Sequence, residues 1–123
     1  MRISVITCTL DAAPWLIDNI LSVATQNYVD VEQVFVDGGS TDETPAIAAD
    51  FGAELVANPL RNEEEGRALG LEAARGELVL LLDADNELPH REWLARLVAA
   101  LPLAPDIVSA DCLFHEWRRQ DPA

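Results

Sequence analysis

The sequence predicts an α/β fold in which helices cover both faces of a mainly parallel β-sheet, a three-layer α/β/α arrangement. Two observations support this prediction. Short apolar runs of strand length alternate with longer segments whose apolar residues recur at helical spacing, and clusters of turn residues separate them. Strands that alternate with helices of about ten residues form βαβ units with right-handed crossovers. A chain of 123 residues is long enough for one such domain.

Five runs have strand character. The run at 78–82 is continuously apolar and too short for a helix, so we expect a strand that is covered on both faces. The run at 107–113 is expected to be the last strand, and a polar tail follows it. The predicted strands cover residues 3–7, 31–36, 54–57, 78–82 and 107–113.

Four segments have helical character. Asp11 and Pro14 are typical of a helix start, and the apolar residues after them recur at helical spacing to near Asn27. A second helix begins at Thr44, and Gly52 ends it. The other two predicted helices cover about residues 65–74 and 91–101.

The charge of the chain is strongly negative. It contains 22 Asp and Glu residues against 8 basic residues, a formal net charge of -14, and every basic residue is Arg. We expect most of these carboxylates to form a solvated acidic surface. We exclude nucleic-acid binding, since phosphate recognition needs clustered Lys or Arg. The absence of Lys also excludes sites built on a P-loop lysine or a pyridoxal Schiff base.

The remaining composition indicates a protein that does not span a membrane. No run reaches the roughly 18 apolar residues that a membrane helix needs, so we expect a soluble cytoplasmic protein. Cys8 and Cys112 are far apart and lack metal-ligand spacing, so we expect two reduced cysteines in buried strands. His90 and His115 lack partners at a zinc or catalytic spacing, and we assign them no role.

Polar residues follow the predicted strands at the point where each strand ends. In a parallel sheet all carboxyl ends lie at one edge, and ligands bind in the crevice beyond it. We therefore expect these residues to gather around one crevice. They are Thr7 and Thr9 after the first strand, residues 37–42 after the second, Asn58 and Arg61 after the third, and Asp83 and Asp85 after the fourth.

Asp83 and Asp85 are the strongest candidates for a metal site. They lie two residues apart directly after an apolar strand, so both side chains point the same way if the strand geometry continues. Two carboxylates held close together repel each other unless a cation lies between them or one of them is protonated. Oxygen ligands of this kind suit Mg or Mn, completed by substrate phosphates. The alternative is a loop with one turn aspartate and one helix-capping aspartate.

Two further features have both a functional and a structural interpretation. The segment 37–42, Asp-Gly-Gly-Ser-Thr-Asp, is either a plain turn or a place where backbone approaches a ligand and Asp37 accepts from a base N–H. Arg67 opens the third predicted helix beside a crevice rich in acids, where a phosphate-bearing ligand needs a cation. Its alternative role is a surface ion pair with Glu63 or Glu64.

Five segments of the chain together resemble one known family. They are residues 4–11 (SVITCTLD), 22–28 (SVATQNY), 34–44 (VFVDGGSTDET), 66–77 (GRALGLEAARGE) and 80–88 (LLLDADNEL). In this order they resemble the inverting nucleotide-sugar glycosyltransferases of family 2, which have the GT-A fold. The ordered set covers nearly the whole chain and is more specific than any one segment.

The resemblance implies a role for each matching residue. Thr9 and Asp37 would hold the uracil or other base and its ribose, and Arg67 would line the nucleotide pocket. Asp83 would face the sugar or ribose, and Asp85 would bind the Mg or Mn that bridges the diphosphate. Such a metal stabilises the charge on the departing nucleoside diphosphate. The implied reaction transfers a sugar from a nucleoside-diphosphate sugar to an acceptor hydroxyl, with inversion.

The chain departs from the family pattern at several positions. Leu10 replaces an aromatic residue and Asp11 replaces an Asn. Gly38 stands where many members have a second Asp, and Ala68 replaces an Asn. Family domains are generally longer, and their later half supplies the acceptor groove and a general base. We therefore expect residues 1–123 to form a single nucleotide-sugar-binding domain without most of the acceptor half, and we assign no general base.

Two other functions and one partner stay open at this point. A non-catalytic nucleotide-sugar-binding module, completed by another chain or inactive, fits the short length. A phosphohydrolase with Asp83 as nucleophile is disfavoured, because the Lys that such sites need is absent and the motif follows the fourth strand. A missing half would leave an open sheet edge and apolar surface, so we expect a homodimer through that edge.

Overall fold

The computed structural model describes residues 1–101. Strands and helices alternate along this part of the chain, which confirms the α/β prediction. The elements in chain order are β1 (Ile3–Thr9), α1 (Ala13–Ala24), β2 (Val31–Asp37), α2 (Thr44–Asp50), β3 (Glu54–Ala57), α3 (Glu63–Ala73), β4 (Leu78–Leu81) and α4 (Trp93–Ala100).

The four described strands form one parallel sheet in the order β3-β2-β1-β4. β1 lies inside the sheet, and its first residue, Ile3, pairs with Val31 of β2 on one side and with Leu78 of β4 on the other. The chain adds β2 and β3 on one side of β1 and then returns to add β4 on the opposite side. This reversal leaves a crevice between the carboxyl ends of β1 and β4, where open α/β sheets bind their ligands.

Alternate strand residues pack against helices on the two faces of the sheet. On one face, Ile3 of β1 shares a core cluster with Leu94 of α4, and Phe35 of β2 packs with Leu16 of α1. On the other face, Ile6 of β1 belongs to a cluster that α3 covers. The described residues therefore form the three layers that the sequence predicts.

Local sequence signals explain where the helices begin. Pro14 and Pro45 lie in the first turns of α1 and α2, where a missing N–H removes no intrahelical hydrogen bond. α3 begins two residues earlier than predicted, because the side chain of Asn62 accepts a 2.8 Å hydrogen bond from the backbone N–H of Glu65 and caps the helix. The three glutamates of its first turn also favour the helix dipole.

A hydrogen-bonded network joins the amino ends of the strands, at the edge opposite the crevice. Glu32 of β2 accepts hydrogen bonds from the Ser4 hydroxyl (2.5 Å) and the Arg75 backbone N–H (2.6 Å), and Ser4 accepts from the Gly76 N–H (2.8 Å). The Arg75 guanidinium also lies 3.6 Å from Glu54 of β3. Burial alone would raise the pKa of Glu32, but these hydrogen bonds and the nearby Arg75 charge hold it below its ordinary value.

One strand differs from its prediction. β4 ends at Leu81 and lies at an edge of the described sheet, where the side chain of Leu81 is 46% exposed. Leu78 and Leu80 pack against the cluster around Ile3 on one face, and Val79 packs against the cluster around Ile6 on the other. Residues 78–80 are therefore covered on both faces as predicted, and within β4 only Leu81 is exposed. The predicted strand at 107–113, with Cys112, and also His115 lie outside the described residues. Within residues 1–101, no helix combines the length and the apolar character needed to cross a membrane.

Candidate functional site

A cavity of about 460 Å³ opens at the carboxyl edge of the sheet. All four described strands contribute to its wall, as the sequence predicts. Its lining includes Thr9 after β1, Gly38 after β2, Asn58 after β3 and Asp83 after β4. The cavity lies at the reversal point between β1 and β4, so the fold itself explains its position.

Thr9 and Asp37 join the ends of β1 and β2. The Thr9 hydroxyl donates a 2.8 Å hydrogen bond to one Asp37 carboxylate oxygen, and the Ser40 hydroxyl donates to the same oxygen at 2.5 Å. The other oxygen accepts from the backbone N–H groups of Gly39 (3.1 Å) and Ser40 (2.9 Å). Asp37 is only 8% exposed, so these four hydrogen bonds satisfy a buried carboxylate.

The surroundings of Asp37 favour its ionised form. Burial by itself would raise the pKa of Asp37, but the hydrogen bonds from Ser40, Thr9 and Gly39 outweigh it and hold the pKa below its ordinary value. Because the ionised carboxylate can only accept, Thr9 must donate to it and keeps an acceptor oxygen at the cavity wall. Asp37 itself lines a smaller adjoining cavity of about 370 Å³, not the main one.

The glycine loop after β2 brings backbone close to the cavity. The Gly38 N–H donates to the Thr9 carbonyl oxygen at 2.9 Å. A side-chain carbon placed on Gly38 would lie 3.6 Å from the Arg61 Cα and 3.8 Å from a Leu10 methyl carbon, so Gly38 forms the base of a slot between these two residues. Gly39 has a φ of +96°, a conformation that favours glycine.

The turn after β4 carries both candidate metal ligands. The strand geometry does not continue through it, because β4 ends at Leu81 and the Asn86 N–H donates to the Asp83 carbonyl oxygen at 3.0 Å. Asp83 and Asp85 are nevertheless both exposed and both line the main cavity. The turn, and not a shared strand face, brings the two carboxylates to one site.

Helix α1 holds this turn in place. The side-chain amide of Asn19 donates to the carbonyl oxygens of Asp83 (3.1 Å) and Asn86 (3.0 Å). Asn19 is fully buried, so these bonds are shielded from water. The sequence analysis missed this residue, because its role depends on how α1 docks against the sheet.

The two carboxylates fit a hard divalent cation. Carboxylate oxygens are ligands that Mg and Mn prefer, and an exposed pair needs little desolvation to bind one. Among residues 1–101, no group of three or more His, Cys, Asp or Glu side chains is arranged to hold a metal. Mg at a phosphate usually completes its coordination with phosphate oxygens and water, so two carboxylates are enough protein ligands for such a site.

Two arginines also line the cavity, Arg67 of α3 and Arg61 of the loop before that helix. Arg67 of α3 lies 3.4 Å from Glu63, one turn earlier on the helix, so the surface ion pair exists and the side chain is still at the cavity. Arg61 lines both cavities and has a φ of +61°, which is uncommon for a residue with a side chain. Cys8 is a free cysteine on the buried strand β1, as predicted, and packs against the core cluster around Ile6. It is only half-buried, because it also lines the main cavity.

The structure thus brings Thr9, Arg67, Asp83 and Asp85 to one cavity, and it places Asp37 directly behind Thr9. Trp15 of α1 also lines this cavity, and the sequence analysis missed it. The only signal for Trp15 was its position in the first turn of α1, directly after Pro14.

Relatives are similar in sequence to most of this chain, although the chain covers only part of their length. The PGL/p-HBAD biosynthesis glycosyltransferase of Mycobacterium bovis is 36% identical over 102 residues, which is 78% of this chain and 40% of that protein. This chain therefore spans less than half the length of that relative.

Solved structures share the fold. S. aureus TarS 1-349 superimposes with a TM-score of 0.77 and 26% identity over 84% of this chain and 33% of that one, and it has also been solved with UDP. The mannosyltransferase PcManGT from Pyrobaculum calidifontis, in complex with GDP-Man and Mn2+, superimposes with a TM-score of 0.76 and 31% identity over 81% of this chain and 32% of that one. Both structures have the GT-A glycosyltransferase fold, which confirms the predicted fold class.

The family model described as glycosyl transferase family 2 matches residues 4–121. With this match, the shared fold and the cavity at the reversal point, the chain belongs to glycosyl transferase family 2.

Proposed function

We propose that residues 1–123 bind a nucleoside-diphosphate sugar together with Mg or Mn, and that the protein transfers the sugar to an acceptor hydroxyl with inversion. The observation that carries this proposal is the main cavity, which is lined by Asp83 and Asp85, by Arg67 and by residues from the ends of the other three strands. Two carboxylates and a guanidinium are the groups that a metal-bound diphosphate requires.

Each site residue has a part in this proposal. Asp85, with Asp83, holds the metal, which supplies charge stabilisation for the departing nucleoside diphosphate. Arg67 contacts the nucleotide as a second cation. Thr9 contributes its acceptor oxygen to the base or ribose, and Asp37 fixes Thr9 and the glycine loop while it contributes to the same recognition. We assign no general base.

The ligands of the structural neighbours support the same donor class. TarS has been solved with UDP and with UDP-GlcNAc, and PcManGT with GDP-Man and Mn2+. UDP and GDP are therefore the two nucleotides to test first, with Mn2+ as the metal.

Calorimetry on the purified chain tests the donor site. We expect UDP or GDP to bind with Mn2+ and to lose at least about tenfold in affinity without it. Asp85→Asn should remove the metal-dependent part of the binding. Asp50→Asn is the matched control, because Asp50 is an exposed aspartate on α2 outside the cavity and its replacement changes the charge equally. Absence of nucleotide binding with the metal present, or equal losses in both variants, would contradict the proposal.

Turnover distinguishes the transferase from the non-catalytic module. The same chain is incubated with UDP-glucose or GDP-mannose and Mn2+, and release of the nucleoside diphosphate is measured. Release that Asp85→Ala abolishes supports a transferase within this chain, whereas metal-dependent binding without release supports the binding module. The chain spans 40% of the M. bovis relative, so this measurement concerns the chain itself and not the longer protein.

A homodimer is the proposed assembly. β3 and β4 are the two edges of the described sheet, and Leu81 on β4 is half-exposed. Exposed edges with apolar residues pair readily with a second copy. Light scattering at about 100 µM protein should give the mass of two chains, and the mass of one chain would contradict the proposal.

A further inference from the structure

Trp15 is a partly exposed aromatic residue that lines the main cavity. It lies in the first turn of α1, its side chain is 47% exposed, and it lines the cavity together with both aspartates of the acidic turn. Leu16, the next residue, is fully buried in the core. The helix therefore buries its aliphatic side chain and leaves its large indole at the site, although burial of an aromatic ring is strongly favourable.

Helix α1 connects Trp15 to the acidic turn through Asn19. Asn19 lies four residues after Trp15, so the two side chains share one face of the helix. The Asn19 amide binds the carbonyl oxygens of Asp83 and Asn86, which fixes this face against the turn. Trp15 therefore lines the cavity from the same helix that anchors the acidic turn, whereas Leu10 lines it beside Gly38.

The chemistry of the ring matches a sugar. Among residues 1–101, the indole N–H of Trp15 donates no hydrogen bond, so the side chain offers a flat apolar face and an unused donor. A pyranose ring presents C–H groups on its faces and hydroxyl groups at its edge. In a nucleoside-diphosphate sugar the pyranose is joined directly to the diphosphate, whereas the base is separated from it by the ribose.

We propose that Trp15 is a positioning residue that stacks on a pyranose ring beside the metal site and donates to one of its hydroxyls. This inference rests on the proposed function, because it takes the ligand of the cavity to be a nucleoside-diphosphate sugar bound with a metal. Two sugars have the required chemistry, the one carried by the donor nucleotide and the one in the acceptor. The experiment below has an arm for each.

The donor arm compares nucleotides with and without a sugar. Affinities of UDP, UDP-glucose, GDP and GDP-mannose are measured with Mn2+ for the wild type, Trp15→Ala and Trp15→Phe. If Trp15 stacks on the donor sugar, Trp15→Ala lowers the affinity for the sugar nucleotide by about tenfold and the affinity for the free nucleoside diphosphate by less than about twofold. Trp15→Phe keeps an aromatic ring, so its affinity for the sugar nucleotide should lie between those of the wild type and Trp15→Ala. Ile17→Ala is the matched control, since Ile17 is equally exposed on α1 but does not line the cavity.

The acceptor arm uses simple glycosides. Saturation-transfer NMR with methyl glucoside and methyl mannoside, in the presence of the nucleoside diphosphate and Mn2+, detects a bound sugar without turnover. If Trp15 stacks on the acceptor sugar, the signal is present in the wild type, is lost in Trp15→Ala and is retained in Ile17→Ala. The affinities of the donor nucleotides then stay unchanged.

Three results would overturn the inference. Equal weakening of UDP and UDP-glucose in Trp15→Ala would make the indole a platform for the base. No change in either arm would leave Trp15 without a ligand role. A wild type that binds neither nucleotide contradicts the proposed function, and in that case the glycoside arm, repeated without nucleotide, decides the role of Trp15: no signal overturns it, and a signal that Trp15→Ala removes supports it.

Discussion

The side-chain amide nitrogen of Asn19 lies 3.1 Å from the backbone carbonyl oxygen of Asp83, and this contact ties the first helix to the turn that carries both candidate metal ligands. Residues 64 positions apart in sequence are thereby held together by one partly buried hydrogen bond. The position of the acidic turn therefore depends on a residue outside the cavity.

Asn19→Leu should weaken both folding and metal-dependent nucleotide binding. The apolar replacement has a similar size but removes the donor to two carbonyl groups, so we expect the free energy of unfolding to fall by about 2 kcal/mol. Urea denaturation measures this loss, and calorimetry with Mn2+ should give about tenfold weaker UDP binding. Ile20→Ala on the same helix is the control, because Ile20 is buried with Leu16 and Phe35 in a cluster that contains no residue of the turn, and its truncation lowers stability by leaving a core cavity. Similar UDP affinities in the two variants would contradict the role of Asn19.

Stability below pH 5 should depend on Asp37. Its pKa is lowered in the folded state, so its contribution to stability is fully present above the pKa of the unfolded chain, near 4, and is lost as the pH falls through the lower folded pKa. Asp37→Asn should therefore reduce the slope of unfolding free energy against pH between about pH 5 and pH 2. Thr9→Val keeps the carboxylate and removes one of its four donors, so its slope should be intermediate. A variant slope equal to that of the wild type would be inconsistent with this network.

Variants of Arg67 and Glu63 should show whether Arg67 stabilises the fold or binds the nucleotide. Arg67 is 47% exposed, so its ion pair with Glu63 contributes less than about 1 kcal/mol to folding. We expect Arg67→Ala to weaken nucleoside diphosphate binding by about tenfold with little change in stability. Glu63→Gln releases the guanidinium and should leave binding equal or stronger. Calorimetry at two salt concentrations measures both, and equal weakening in the two variants would assign the pair to structure alone.

Two adjacent glycines should respond differently to the same substitution. Gly38→Ala adds a carbon with ordinary contacts of 3.6 Å or more, so the free energy of unfolding should change by less than about 0.5 kcal/mol. Gly39 has open space around it but a φ of +96°, so Gly39→Ala should cost about 1 kcal/mol or more through backbone strain. Urea denaturation of both variants compares them, and equal losses would rule out this explanation.

Most of the fold could be predicted because its signals are local. The segment from Glu54 to Ala57 was predicted with its observed bounds, since Gly52 and Pro59 punctuate it on both sides. The end of β1 was not predicted, because the strand continues to Thr9 by pairing with Asp37 of β2, a contact that no single segment encodes. The exposed edge of β4 likewise depends on the strand order.

The site was predictable where a residue follows a strand directly. Thr9, Asp83 and Asp85 were found because the parallel sheet brings all strand ends to one edge. Asn19 and Trp15 were missed because both lie on a helix, where spacing gives the face but not the neighbour against which that face packs.

The hydrogen-bonded network around Glu32 and the candidate site lie at opposite edges of the sheet. Glu32, Ser4, Arg75 and Gly76 join strands at the amino edge, while every residue of the candidate site lies at the opposite edge. Random libraries at the slot residues Leu10, Gly38 and Arg61 would leave that network untouched. The chain is therefore a suitable scaffold for the laboratory evolution of nucleotide selectivity, because residues at the ligand-binding edge can be varied while the network at the amino edge stays intact.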